Sequence, residues 1–431
     1  MDDSVSEGGH KSRPCRAWPC QAGRNRIMDK LSRLAALRPV STTPRRQETG
    51  RGRSAERLLE LLGGECRANA LGNHVIVRYR FPEPRVCKIG PETRRRLLPG
   101  AAEAAADPAR WLFLDTETTG LAGGTGTYAF LVGTAWWDND GLTIEQFFMR
   151  DHGEEPSVLH EVVRSLSERP VLVTFNGKSF DWPLLETRFR MARMHPVPSP
   201  DFHVDLLHPA RRVWRYRLRS VALAELERHV LELDRGFDIP SESIPARYFE
   251  FLRGGPPEPV AEIFQHNAMD LRGLAALAVH LAGLMENPEC AAQDPTELYG
   301  LSRLLQLRGE ATLASRICEL ALEGGLGDTE ARAARHSLAL MAKREGKYGR
   351  ANELWRQLAE ESPEGIEARE HLAIYYEHYA RDIGHAARLT RESLAMLREA
   401  LHAGMLTSER HRRWHARLQH RLERLNRKLG A

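Results

Sequence analysis

Apolar positions in the middle of the chain follow the spacing of β-strands. Residues 111–115, which are apolar up to Leu114, predict a buried strand, and residues 128–137 and 142–149 predict two more. Between the last two strands, the Asp-Asn-Asp-Gly sequence at residues 138–141 is typical of a hairpin turn. The pattern therefore predicts three consecutive strands that form a meander.

Helical and strand spacing then alternate along the chain. Three meandering strands followed by alternating helices and strands are the order of a ribonuclease-H-like α/β fold. We therefore expect a mixed β-sheet flanked by helices in residues 108–285. The elements predicted after the meander are a helix at 157–167, a strand at 171–175, a helix at 182–194, a strand at 202–205 and further helices up to Met285.

Beyond residue 295 the pattern is helical throughout and repeats about every 34 residues. Small and aromatic residues recur at the spacing that lets paired helices approach closely, which resembles a tetratricopeptide (TPR) repeat. We predict an all-α TPR-like repeat domain at 295–403 and a basic helix at 408–428, either solvated or facing a partner. The best copy contains Leu338, Ala339, Gly346, Tyr348, Ala351, Trp355 and Pro363.

The N-terminal quarter has a weaker pattern. Residues 1–53 are rich in Arg, Ser, Pro and Gly and predict a mostly disordered arm, although 28–38 could form an amphipathic helix. Residues 54–107 predict a small segment with a helix at 55–62 and a strand at 73–79. An Arg cluster and an Ala run at 92–107 suggest a linker.

Charge and composition narrow the class of protein. The 431 residues carry a net charge of +4, but residues 1–53 contain twelve Lys or Arg and five Asp or Glu. A basic arm fits a nucleic-acid partner, and it equally fits a solvated tail. No apolar run reaches the ~18 residues of a membrane span, so we expect no membrane. The six cysteines form no C-x-x-C pair, so we expect a reduced, cytoplasmic protein without zinc.

Four acidic residues and one histidine carry the candidate chemistry. Asp115 and Glu117 lie two apart at the end of a predicted strand, so both side chains point to one face. Asp181 opens a predicted helix after a buried strand, and His266 lies one helical turn before Asp270. Each pattern alone also fits an ordinary structure, namely a polar strand end, a carboxylate at a helix N-terminus and a surface pair.

Taken together, the three segments resemble the exonuclease motifs of the DnaQ-like DEDD 3′–5′ exonuclease superfamily. The resemblance rests on residues 115–120 (Asp-Thr-Glu-Thr-Thr-Gly), on Asn176 with Phe180-Asp181, and on His266 with Asp270. The chain is most similar to the YprB-type ribonuclease-H-like family. The similarity lies in the glycine-rich insert at 123–128, the Arg-rich helix at 211–219 and the helical tail. That resemblance implies a bacterial DNA-repair exonuclease, often associated with a helicase.

The resemblance also implies roles for individual residues. Two divalent ions, Mg²⁺ or Mn²⁺, would be held by the four carboxylates, with His266 as the general base. Thr118 and Leu121 match positions that contact the 3′-terminal nucleotide. Members with a histidine base place it five residues before the last Asp, whereas His266 lies four before Asp270, the spacing of the tyrosine-type branch.

Two further features have alternative interpretations. Residues 211–219 hold five arginines and two aromatics, so Arg211, Arg212 and Arg215 would bind phosphates, or the arginines form a solvated face over buried aromatics. Asp205 either supports the ligands or caps the helix that follows it.

These features predict a metal-dependent 3′–5′ exonuclease, with DNA favoured over RNA as its substrate. A helicase or another repair protein could dock on the TPR-like repeats. The alternatives are an exoribonuclease and a non-catalytic TPR adaptor that carries an inactive nuclease fold.

Overall fold

A computed structural model of the chain describes residues 50–82, 89–120, 124–139, 141–236, 238–292, 294–361 and 365–430. The predicted helix at 28–38 lies outside these residues, as does the rest of the arm up to residue 49. Residues 50–53 do not continue a disordered arm, because the first helix already begins at Gly50.

One seven-stranded sheet organises the first half of the described chain. The strands lie side by side in the order β1-β2-β5-β4-β3-β6-β7. The first five pair antiparallel, while β6 runs parallel to both β3 and β7. The strands are β1 (Glu65–Asn69), β2 (Gly72–Phe81), β3 (Trp111–Thr118), β4 (Ala129–Trp137), β5 (Leu142–Phe148), β6 (Val171–Thr174) and β7 (Phe202–Asp205).

Sixteen helices of the described residues surround and extend this sheet. They are α1 (Gly50–Leu62), α2 (Pro91–Leu97), α3 (Glu155–Glu168), α4 (Asp181–Met191), α5 (Leu207–Trp214), α6 (Leu223–His229), α7 (Ile244–Leu252), α8 (Glu258–Glu286), α9 (Pro288–Ala291), α10 (Pro295–Leu307), α11 (Ala311–Glu323), α12 (Asp328–Arg344), α13 (Tyr348–Glu361), α14 (Ile366–His378), α15 (Ile383–His402) and α16 (Ser408–Leu429). The predicted mixed α/β sheet followed by an all-helical region is therefore confirmed.

The sheet begins well before residue 108. The β1–β2 hairpin adds to β5, and the β2 side chains of Val75, Ile76 and Val77 are buried in the core. The expectation of a linker at 92–107 is wrong. That segment contains α2 and a short 3₁₀ helix, and Arg96 donates a hydrogen bond to the Met285 carbonyl at 2.8 Å. Its Arg and Ala residues pack on α8, a contact that local sequence does not indicate.

Helix α8 crosses the sheet closely because β4 has a glycine at the crossing. A Cβ atom on Gly133 would lie 2.1 Å from the Asn267 side-chain oxygen and 2.7 Å from Leu271. By length and composition α8 could cross a membrane, but 61% of its most apolar stretch is buried inside the protein. It is therefore the central helix of the core, and it carries His266 and Asp270.

The helices after α8 are not separate from the sheet. Gly300 of α10 approaches α5 so closely that a Cβ atom there would lie 2.0 Å from the Val213 carbonyl oxygen. One hydrophobic core runs from the sheet through α10–α13 to Leu372 of α14. The last helices have small clusters of their own, around Leu397, Leu418 and Leu425.

Candidate metal centre

The end of strand β3 presents two carboxylates beside α8. Glu117 is buried, and Asp115 accepts a 2.7 Å hydrogen bond at its side chain from Asn267 Nδ2. The amide of Asn267 is itself fixed, because Gln146 Nε2 of β5 donates to its oxygen at 2.8 Å. The Gln146–Asn267 pair therefore sets the position of Asp115 from two neighbouring elements. Sequence analysis found neither amide, although Asn267 follows His266 directly.

A tight turn between β6 and α4 places Asp181. Asn176 adopts a left-handed backbone conformation with φ of 67°, and a Cβ on Gly177 would lie 2.5 Å from Thr174. Asp205, at the end of β7, accepts hydrogen bonds from the Asn176 N–H at 2.8 Å and the Lys178 N–H at 3.1 Å. The turn thus delivers Asp181 to the parallel edge of β3.

Asp205 supports the turn before Asp181 and also bonds to the start of the helix that follows it. Besides anchoring the turn, it accepts a 3.1 Å bond from the N–H of Leu207, the first residue of α5. On the other side of the turn, the Thr116 hydroxyl donates to Asp181 Oδ1 at 2.5 Å. Thr116, which lies between Asp115 and Glu117 in β3, therefore holds Asp181 against that strand.

Helix α8 supplies the remaining groups of the cluster. His266 Nε2 lies 3.4 Å from Asp270 Oδ2 and 4.0 Å from Glu117 Oε1. One potential ligand atom from each of these three residues falls within 4.8 Å of the others, a spacing that could hold a metal ion. The structure therefore brings Glu117 of β3 together with His266 and Asp270 of α8, which are far from it in the chain.

The carboxylates destabilise one another's negative charge. Burial and the charges of Asp270, Glu117 and Asp181 raise the pKa of Asp115 well above its ordinary value. Burial raises the pKa of Glu117 to about 8, with Asp270 and Asp181 adding to the effect although His266 opposes it. Burial raises the pKa of Asp181 to about 6 against the hydrogen bond from Thr116. The site therefore has an excess of negative charge that a cation would relieve.

Asp238 sets the orientation of the histidine ring. His266 Nδ1 lies 2.5 Å from Asp238 Oδ1, so Nε2 is the ring nitrogen that faces Glu117 and Asp270. Burial lowers the pKa of His266, but the charges of Asp270 and Glu117 and the bond to Asp238 outweigh it and raise the pKa.

Arg235 lies in the same loop as Asp238, and it connects this loop to the side of α8 that carries Asp270. Its guanidinium contacts Asp270 Oδ1, lies 3.0 Å from Asp238 Oδ2 and donates to Glu227 Oε1 at 2.7 Å. Glu227 comes from α6 and reaches α8 at Gly273, where a Cβ would overlap its side chain. No periodicity or spacing in the sequence indicates that Glu227, Arg235 and Asp238 belong to the site.

Comparison with known proteins identifies the family. A model of the RNase H superfamily matches residues 112–282. The chain is also 32% identical over 286 residues to the uncharacterized protein YprB of Bacillus subtilis (strain 168), a match that covers 66% of this chain and 68% of YprB. The chain belongs to the YprB family of the RNase H superfamily. The superfamily match spans all five candidate metal-centre residues, and its fold supports a nuclease acting on nucleic acid.

The donor set of this YprB-family protein fits divalent metal ions. The carboxylates of the cluster offer oxygen donors, which suit hard cations such as Mg²⁺ and Mn²⁺. The raised pKa values of Asp115, Glu117 and Asp181 point the same way, since a cation would stabilise the charged forms.

The two residues expected to contact the terminal nucleotide follow the carboxylates of β3. Thr118 ends β3, and its hydroxyl donates to the Gly120 carbonyl at 2.9 Å. Leu121 lies outside the described residues.

The Arg-rich segment lies at a distance from the carboxylates. Trp214 is fully buried and packs on His280, ten residues and thus about 15 Å along α8 from Asp270. Tyr216 packs on Tyr299 of α10. Because Trp214 is buried, its ring cannot stack on a base. This favours the interpretation in which the arginines form a solvated face over buried aromatics. Arg211, Arg212 and Arg215 line the outside of this packed segment.

Proposed function

We propose that this protein is a metal-dependent 3′–5′ exonuclease that acts on DNA. The observation that carries the proposal is the convergence of Asp115, Glu117, Asp181 and Asp270 beside His266. These residues come from β3, α4 and α8 of an RNase H superfamily fold. The 3′–5′ direction and the DNA substrate rest on the motif resemblance, in which the four carboxylates keep their places.

The chain's own residues supply binding and orientation. Two divalent ions at the carboxylates would activate the attacking water and stabilise the leaving oxygen. The protein holds Asp115 with Asn267 and holds Asp181 with Thr116. Asp238 orients His266 so that its Nε2 faces Asp270 and Glu117, where it would accept a proton from water. Thr118 and Leu121 would border the terminal nucleotide.

Digestion of end-labelled substrates tests the proposal directly. Single- and double-stranded DNA and RNA of one sequence, labelled at the 5′ or the 3′ end, would be incubated with Mg²⁺ or Mn²⁺. Stepwise shortening of 5′-labelled DNA, with early release of a 3′ label as mononucleotide, is the expected result. Selective digestion of RNA would establish an exoribonuclease instead. Absence of cleavage with either metal would favour the adaptor with an inactive nuclease fold.

The retained carboxylates favour an enzyme over that adaptor. A binding scaffold has no need of buried carboxylates packed so closely that neighbouring charges raise the pKa of Asp115 and Glu117. We further propose that the helices from α10 onward, with their TPR-like spacing, bind a helicase or another repair protein in the cytoplasm. Co-purification would test that role. Residues 50–431 should retain a partner, and substitutions on the outer face of α12 and α13 should abolish its binding.

A further inference from the structure

The last two helices concentrate the positive charge of the folded part of the chain. Helices α15 and α16 together contain eleven Lys or Arg residues and four Asp or Glu residues, a balance of +7. The whole chain has a net charge of only +4. The remaining residues are therefore negative in sum, and the C-terminal helix pair is a distinct basic surface.

Part of this charge has a structural role inside the protein. Glu370 and Glu377 of α14 are buried, and α16 covers them. Arg417 lies 2.7 Å from Glu370, while Arg424 lies 2.6 Å and Lys428 2.7 Å from Glu377. These cations stabilise two buried carboxylates and fasten α16 to α14.

A second set of arginines on α16 has no such role. Arg410, Arg412, Arg413 and Arg427 are exposed, and none contacts a carboxylate among the residues that the structure describes. At 100° per residue, Arg412, Arg413 and Arg427 project from the half of α16 opposite Leu418 and Leu425, which are fully buried, while Arg410 projects from the flank of the helix in its first turn. Folding therefore leaves an exposed face with four free guanidinium groups, three in the first turns of α16 and one near its end.

We propose that this face, formed by Arg410, Arg412, Arg413 and Arg427, binds the phosphate backbone of a nucleic-acid duplex away from the metal centre. From Arg410 to Arg427 the helix spans about 25 Å, the length of about seven base pairs. Guanidinium groups pair with phosphates in a fixed geometry, and a row of them needs no base-specific contact. The inference extends the proposed function by giving the nuclease a second contact with its substrate.

The character of the face favours nucleic acid over an acidic protein. Protein interfaces are built around buried aromatic and aliphatic anchors, with charges depleted at their centre. On α16 the aromatic and aliphatic residues Trp414, Leu418, Leu422 and Leu425 all pack inward against α14 and α15. The outward half offers charge without an apolar anchor, as a polyanion requires.

Binding measured without catalysis tests the inference. Full-length protein in EDTA would be titrated against a fluorescent 30-base-pair duplex at several salt concentrations, for the wild type and for the variant with all four arginines changed to Gln. Each phosphate contact removed lowers the slope of log K against log salt by about 0.9, so we expect a decrease of about 2 to 4. Exposed substitutions of this kind should leave the melting temperature nearly unchanged.

A matched control separates specific contacts from overall charge. The control variant changes four exposed arginines that are ion-paired elsewhere, and it lowers the net charge by the same amount. It should keep most of the wild-type salt slope. Equal slopes for all three proteins would overturn the inference, and so would tight binding of poly-glutamate together with weak binding of the duplex. The control arginines are Arg57, Arg190, Arg228 and Arg316.

The outcome is independent of the nuclease assay. If the α16 variant loses duplex affinity although the wild type cleaves nothing, the inference holds and the proposed function fails. If the wild type digests DNA and the variant binds duplex as well as the wild type does, the proposed function holds and the inference fails.

Discussion

His266 Nδ1 lies 2.5 Å from an oxygen of Asp238, and the other nitrogen of the same ring faces Asp270 at 3.4 Å. A single imidazole thus joins the loop after α6 to the carboxylate cluster. The contact fixes which edge of the ring is available for chemistry, and it suggests that residues outside the cluster control the activity.

Asp238→Asn should impair catalysis without disturbing the fold. An amide is a weaker partner for the ring and can present a donor to it, so His266 would lose its orientation. Residues that orient functional groups in this way typically contribute 10- to 100-fold. Single-turnover digestion of labelled DNA should show a loss of about that size. Asp234→Asn is the matched control, since Asp234 is exposed in the same loop and bonds only the Gly236 N–H among the described residues. Equal loss in both variants would contradict the orienting role.

His266→Ala should lower kcat by about 10²–10⁴-fold while metal binding persists, because general-base help is of that size and the four carboxylates remain. The four-residue spacing to Asp270 predicts that His266→Tyr recovers part of the activity, since a phenol can orient the same water. Rate measurements would be paired with Mn²⁺ titrations of each variant. Turnover by the Ala variant within about threefold of the wild type would exclude the general-base role.

Arg235→Gln should weaken metal binding as well as the fold. The guanidinium fixes Asp270 and neutralises buried Glu227, and breaking a buried pair on one side costs about 3–5 kcal/mol. Calorimetric titration with Mn²⁺ should show a roughly 10- to 100-fold loss of affinity. The double variant Arg235→Gln, Glu227→Gln should regain stability, because no unpaired charge remains, without regaining metal affinity.

Arg247→Gln provides the control for that experiment. Arg247 pairs with Glu262 on the more exposed side of α8, so the variant should keep both affinity and stability. Tighter Mn²⁺ binding by Arg235→Gln would mean that the guanidinium competes with the metal instead of orienting its ligand.

Asp115→Asn and Asp181→Asn should each abolish hydrolysis with the fold intact, and EDTA should do the same to the wild type. Each change removes a charged oxygen donor, and it also relieves the crowding of buried carboxylates. Thermal melting should therefore show equal or higher stability in the absence of metal. Cleavage by metal-free wild-type protein would contradict the metal-dependent mechanism.

Glu377→Gln should destabilise the attachment of α16 in a pH-dependent manner. Hydrogen bonds from Arg424 and Lys428 outweigh burial and lower the pKa of Glu377 from 4.5 to about 2. A depressed pKa stabilises the folded state above the unfolded pKa, by an amount on the order of 3 kcal/mol here. The difference between wild type and variant in urea unfolding should be constant above pH ~5 and disappear towards pH 2. A difference that does not change with pH would contradict the ionic attachment.

The sequence by itself determined the order of strands and helices from β3 to β7 and which of the candidate acidic residues share a face. Strand β3 is apolar up to Asp115, and period-2 geometry places Glu117 on the same face as Asp115 wherever the strand lies. The four-residue interval between His266 and Asp270 likewise puts both on one face of any helix. These relationships depend only on nearby residues, so the pattern contained them.

Only the tertiary structure decided which residues hold that cluster in place. Asp238 is 28 residues from His266, Arg235 is 35 from Asp270, and Asn267 is 152 from Asp115. The tertiary structure also placed the segment 92–107 against α8 and buried Trp214 under α10. Such contacts form because one surface covers another when the chain folds. No local periodicity records which polar side chain will meet a buried charge.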